Sequence, residues 1–141
     1  MQALDTERAR SRAFGFYALA LWVGLGTLLE AAHAFKIAAY LDQPERRELL
    51  VWGHAHGVGL ALVVLAYAAA GVRGPQSLRW GRPLRTAATL VPAGFATSIF
   101  GLSETDPGPT IWLVPIGALL LCVSLIGIAQ GAAQPDPPSA P

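Results

Sequence analysis

The sequence predicts an all-α integral membrane protein: a four-transmembrane-helix antiparallel bundle, built from two helical hairpins, with both termini cytoplasmic. Three observations predict it. The 141-residue chain is 53% hydrophobic and only 13% charged, where a soluble domain carries about 25% charge. Its apolar residues gather in four runs, each near the ~20 residues that cross ~30 Å of hydrocarbon at 1.5 Å per residue. Its basic residues divide unequally between the two sides that those runs define. In lipid the backbone must satisfy its own hydrogen bonds, so the runs are helices rather than open strands.

The first run is free of charge from Ala13 through Leu29. It is too long for a cleavable signal peptide, and no soluble domain follows it. Glu30 does not end the helix, because Ala31, Ala32, Ala34, Ala38 and Ala39 are strong helix formers. The first helix is therefore expected over about 13–41. Asp42-Gln43-Pro44-Glu45 reads as a helix start, with Asp as N-cap, Pro in the first turn and Glu three residues after the cap. The second helix is expected over 43–72, the third over 84–103 and the fourth over 110–130. Pro92 and Pro115 fall inside the third and fourth, where each removes a backbone donor and kinks its helix. Cys122 lies in the fourth and reads as a buried, inert residue. Together, 1–133 form one domain. The Pro-rich tail 134–141 lacks apolar periodicity and should be disordered.

Orientation follows from charge. Arg8, Arg10, Arg12, Arg73, Arg79, Arg82 and Arg85 fall on one side, against Lys36, Arg46 and Arg47 on the other. The richer side is cytoplasmic by the positive-inside rule. Trp80 and Trp112 sit near expected interfaces, where indole rings anchor. Nine Arg against one Lys resembles a GC-rich bacterial coding bias, which suggests a bacterial inner membrane. A net charge of +1 gives no electrostatic case for nucleic acid. A single cysteine excludes an internal disulfide and a Cys-based zinc module.

The polar residues of the spans converge on one level. Counted from the turn at Asp42, Glu30 and His54 are equally distant. Counted from the cytoplasmic ends, Glu30, His54, His56 and Ser103 all lie at roughly 24–29 Å, near the outer edge of the hydrocarbon. His33 is one turn higher, and the chain has no histidines beyond these three. Glu30 and His33 are one turn apart on one helix face, and Lys36 continues that stripe. His54 and His56 differ by about 200° around a helix axis, so only one can share a site with Glu30 and His33.

An ionisable residue within a span costs several kcal/mol unless it is paired or hydrated. The bland reading is that Glu30 locks the hairpin by pairing with Lys36, His33 or an arginine. The functional reading is a metal or haem site. Neutral imidazole is a common metal ligand, and a carboxylate ligates or orients it. Glu30, His33 and one of His54 or His56 would supply three ligands, with Glu104 or Asp106 as a fourth. Iron, copper or zinc suits such a donor set. A di-iron centre needs a second Glu-x-x-His element, and the chain has one. Haem b is the more specific form. Two of these histidines would be axial ligands, Gly53, Gly57 and Gly59 would admit the porphyrin edge, and Lys36, Arg46 and Arg47 would meet the propionates. The alternative for Gly53-x-x-x-Gly57 is small-residue helix packing. The run His54-Ala55-His56-Gly57 resembles histidine pairs of small redox membrane proteins, and that resemblance implies electron transfer or metal handling.

Other classes compete. A proton-coupled transport element would use Glu30 near His33 and His54, yet no acidic or basic residue is read in the lower halves of the spans. An accessory or structural subunit, in a homo-oligomer or a larger membrane complex, suits the small size and the glycines. A metal-dependent hydrolase has the ligand types, but no Ser-His-Asp arrangement or nucleophile elbow is present. The chain therefore reads as more binding protein than enzyme.

Overall fold

A computed structural model describes residues 2–70, 75–101 and 106–133. It is helical throughout, with no strand among the described residues. In chain order the elements are α1 (Gln2–Ala34), the short α2 (Ala38–Leu41), α3 (Pro44–Ala69), α4 (Pro75–Thr97), a 3₁₀ turn (Pro109–Trp112) and α5 (Leu113–Ala132). Arg73, Ser103, Glu104 and the tail 134–141 lie outside the described residues.

Three segments are long and apolar enough to cross a membrane: α1, α3 and Pro109–Ala132. Most of each faces outward, as in Phe16 at 59% exposure, Leu28 at 68% and Leu119 at 70%. Such outward apolar surface is compatible with lipid contact. α4 falls short of that apolarity because Arg79, Arg82 and Arg85 occupy its first half.

α3 packs on α1 along one flank and on α4 along the other, and α5 packs on α4. α1 meets α4 over a short stretch, while α5 touches neither α1 nor α3. The core sits at the α3–α4 contact, where Leu60, Val64 and Tyr67 meet Leu84, Ala88 and Val91. α5 buries only Gly117, Ser124 and Gly127. These small residues let it approach α4 closely: Val91 lies over Gly117, and the Trp80 ring over Gly127. Trp80 therefore packs between helices, whereas Trp112 is exposed. Cys122 is exposed, contrary to expectation, since only the glycine–serine face of α5 is covered.

The first helix does not run unbroken to Leu41. α1 stops at Ala34, where Lys36 takes a left-handed conformation at φ 52°. The Ile37 N–H bonds the Ala32 carbonyl at 3.0 Å and the Lys36 N–H bonds the His33 carbonyl at 3.1 Å, the Schellman pattern that glycine usually completes. Alanine-rich flanks favour helix, but this closed cap satisfies the terminal carbonyls. It also takes Lys36 off the Glu30–His33 stripe. A non-glycine residue pays about 1 kcal/mol for that conformation. Lys36→Gly is therefore expected to raise the unfolding free energy by about 1 kcal/mol, read by chemical denaturation in detergent micelles.

Pro44 opens α3, but the N-cap is Gln43, and Asp42 instead closes α2. Pro115 falls in the first turn of α5, where a missing N–H costs little. Pro92 lies well inside α4, and its carbonyl packs over Gly53 of α3.

Candidate functional site

At the α2 end of the α1–α3 pair an open cleft of about 350 Å³ is lined by Gly26, Leu29, Glu30, His33 and Ala34 of α1, Tyr40 of α2, and Val51 and His54 of α3. The two helices interlock beside it by a reciprocal exchange. The His54 ring of α3 lies over Gly26 of α1, and the Trp22 ring of α1 lies over Gly57 of α3. At each glycine a Cβ would collide with the ring. Gly57→Leu should therefore cost about 1–3 kcal/mol by overpacking, measured by thermal unfolding in detergent.

This exchange fixes the chemistry of His54. Its Nδ1 lies 2.7 Å from the Trp22 carbonyl oxygen. A carbonyl can only accept, so Nδ1 carries the proton and donates. In the neutral imidazole, Nε2 is then the unprotonated nitrogen with the free lone pair. No hydrogen bond to Nε2 is present among the described residues. This tautomer, set by a backbone carbonyl, is the one in which an imidazole binds a metal through Nε2.

Glu30 and His33 are exposed along the same cleft. Among the described residues neither makes an ion pair, so the expected lock of Glu30 to Lys36, His33 or an arginine is not formed there. Lys36 does not line the cleft, because the left-handed cap redirects it. Asp106 is exposed in the segment before the 3₁₀ turn. As the side chains stand, no three His, Cys, Asp or Glu among the described residues are grouped closely enough to hold a metal ion.

His56 occupies the other flank of α3. Its Nδ1 bonds the Trp52 carbonyl at 2.8 Å, and its ring lies 5.0 Å from that of Phe95 on α4 and 5.7 Å from that of Trp52. Of the two imidazoles, His54 is therefore the one that shares a cleft with Glu30 and His33. The glycines beside them are largely filled. Gly53 meets Ala96 and the Pro92 carbonyl, Gly57 meets Trp22, and only Gly59 faces open space. Small-residue packing thus accounts for Gly53 and Gly57.

Sequence reasoning missed a second polar cluster, at the opposite end. Arg85 of α4 pairs with Glu7 of α1 through Nη1 and Oε1. The same Nη1 donates to Ser11 Oγ at 2.6 Å, and Ser11 Oγ donates to Glu7 Oε1 at 3.2 Å. Ser11 is fully buried, and the Arg85 and Glu7 side chains are 16% and 14% exposed. Gly81, one turn before Arg85, leaves room for the Glu7 carboxylate and the Tyr67 hydroxyl. The sequence reading counts Arg85 only toward the charge asymmetry and gives Glu7 no role. The pair forms because α1 starts at Gln2 and carries Glu7 into the packing against α4. Two signals were available: Glu7 and Ser11 are spaced to share a face, and so are Gly81 and Arg85.

No known family, curated protein or solved structure matches this chain.

Proposed function

We propose that the chain is a small polytopic membrane protein that binds a transition metal ion in the α1–α3 cleft, with Nε2 of His54 as the anchoring ligand. His33 is the second imidazole ligand, and Glu30 is a ligand or the acceptor that orients His33. The observation that carries the reading is the 2.7 Å contact from His54 Nδ1 to the Trp22 carbonyl, which leaves Nε2 as a lone-pair donor beside a carboxylate and a second imidazole. Binding draws Glu30 and His33 inward onto the ion from exposed positions. Iron, copper and zinc accept this N/O donor set. The function is metal handling or electron transfer.

In the same reading the chain crosses the membrane four times with both termini cytoplasmic, in a bacterial inner membrane. α4 enters as the third span because Glu7 neutralises Arg85, while Arg79 and Arg82 extend to the headgroups. The arginine excess on that side sets the direction.

Elemental analysis of protein purified in detergent without a polyhistidine tag tests the metal. The expected result is near-stoichiometric iron, copper or zinc. Iron with a porphyrin spectrum would replace the bare ion by haem b on the His33–His54 pair. Folded protein that neither carries nor takes up metal would sink the reading.

A second reading is an accessory subunit of a larger assembly. Its support is the apolar α1–α4 groove of about 420 Å³, left open because α5 packs on α4 alone. Loss of a co-purifying partner on filling that groove, with metal content unchanged, would favour it.

A further inference from the structure

The groove between α1 and α4 is left unused by the metal reading. It follows α1 from Phe14 to Trp22 and α4 from Ala88 to Thr97, with a volume of about 420 Å³. No charged residue lines it. The Thr89 hydroxyl donates to the Arg85 carbonyl at 3.0 Å, and the Thr97 hydroxyl to the Ala93 carbonyl at 2.7 Å. Both donors are spent on their own helix, so the α4 wall asks for no hydrogen bond from an occupant. The α1 wall lies in the charge-free run 13–29 of a helix apolar enough to span a membrane. An apolar void left open there would forfeit the dispersion contacts of its lining.

The size of the groove suits a chain rather than a helix. Phe14 to Trp22 rises about 12 Å at 1.5 Å per residue, so the mean cross-section is about 35 Å². A helix about 10 Å across needs more than twice that area.

Charge marks one end of the groove. Ser11 bonds Arg85, 74 positions further on, and Phe14 and Ala88 at that end of the groove keep the same offset. Glu7 and Arg85 neutralise each other there. Two further arginines continue the open rims. Arg10 comes two helical turns before Tyr17, which is 79% exposed, and Arg82 two turns before Thr89, which is also exposed. Arg10 and Arg82 are themselves exposed, and among the described residues neither has a hydrogen bond or ion pair. Asp5, the other described acid at this end, lies on the opposite side of α1 from Phe14. Two uncompensated arginines at the mouth of a hydrocarbon slot complement an anionic head on an apolar chain.

We propose that the α1–α4 groove binds one anionic phospholipid, with an acyl chain between Phe14 and Ala93 and the phosphate held by Arg10 and Arg82. The proposal rests on the membrane placement above and is independent of the metal. It competes with the accessory-subunit reading, because a seated lipid leaves no groove for a partner polypeptide.

The test reconstitutes the full chain in nanodiscs of equal phosphatidylglycerol and phosphatidylcholine with identical chains. Native mass spectrometry of the released protein then counts the lipids it retains. The expected result is one phosphatidylglycerol, preferred over phosphatidylcholine by about 25-fold, since each arginine near the phosphate contributes about fivefold. Arg10→Gln/Arg82→Gln should bring the ratio to about one, while Arg10→Lys/Arg82→Lys keeps the charge and should keep the preference. Arg12→Gln, on the far side of α1, should leave the ratio unchanged. Ala93→Phe, which fills the groove, should remove the retained lipid. Equal retention of the two lipids by the wild type, an unchanged ratio in Arg10→Gln/Arg82→Gln, or a lipid still held by Ala93→Phe would overturn the proposal. So would a second copy or a partner polypeptide that Ala93→Phe dislodges. A chain that enters no nanodisc overturns the membrane placement and the proposal with it, whereas normal incorporation without a lipid preference overturns the proposal alone.

Discussion

Arg85→Met is expected to lower the unfolding free energy by about 3–5 kcal/mol, the largest single effect in the molecule. The reason is what it leaves behind. Glu7 is 14% exposed, and without Arg85 its carboxylate is a largely buried charge left to neutral donors such as Ser11 Oγ. Removing both charges is different. In Glu7→Leu/Arg85→Met the desolvation costs of both ions disappear, and paired apolar replacement of a buried ion pair is often neutral or stabilising by about 1–4 kcal/mol. The double variant should thus recover most of the loss. Urea or thermal unfolding of all three proteins in one detergent reads the cycle. Equal loss in the single and double variants would mean that Arg85 acts by packing alone. Because the pair joins α1 to α4, which otherwise meet over a short stretch, the single variant should also loosen the N-terminal part of α1, seen as faster amide exchange before Phe14.

His54→Ala should weaken zinc binding by at least about 100-fold, while His56→Ala should leave it within about threefold. Loss of a partner that only orients a ligand costs roughly 10–100-fold, and loss of a ligand costs more. The contrast rests on which flank of α3 each imidazole occupies: His54 lines the cleft with Glu30 and His33, while the His56 ring lies 5.0 Å from that of Phe95. Competition with a chelator of known affinity gives both values. Glu30→Gln keeps the shape and loses the charge, and should fall between them at about 10–100-fold. Equal losses in His54→Ala and His56→Ala would contradict the assignment of the cleft.

Much of this arrangement was legible in the sequence, for local reasons. Counting residues from the Asp42 turn put Glu30 level with His54. In the structure the His54 ring lies over Gly26, one turn before Glu30, because the helix breaks at Lys36, yet Glu30 and His54 still line one cleft. The 200° offset separated His54 from His56 because α3 stays regular through Gly53 and Gly57. The helix break at Lys36 was not legible. Alanines on both sides favour helix, and the chain carries lysine where a glycine would have signalled the cap. The Glu7–Arg85 pair was hidden for another reason: its partners are 78 positions apart, and only the packing of α1 beside α4 brings them together. The exposure of Cys122 likewise follows from the packing of α5 on α4 alone among the described residues. The carbonyl that sets the His54 tautomer belongs to the backbone, and no side-chain pattern announces it.

The measurement that tests the central claim most directly is X-ray absorption at the zinc edge of the zinc-loaded, tag-free protein and its His54→Ala variant. The wild type should show two imidazole nitrogens at about 2.0–2.1 Å, with the remaining scatterers oxygen, and the variant should show one imidazole fewer. An unchanged imidazole count in His54→Ala, or a shell of oxygen alone in the wild type, would contradict the assignment of His54 Nε2 as the anchoring ligand.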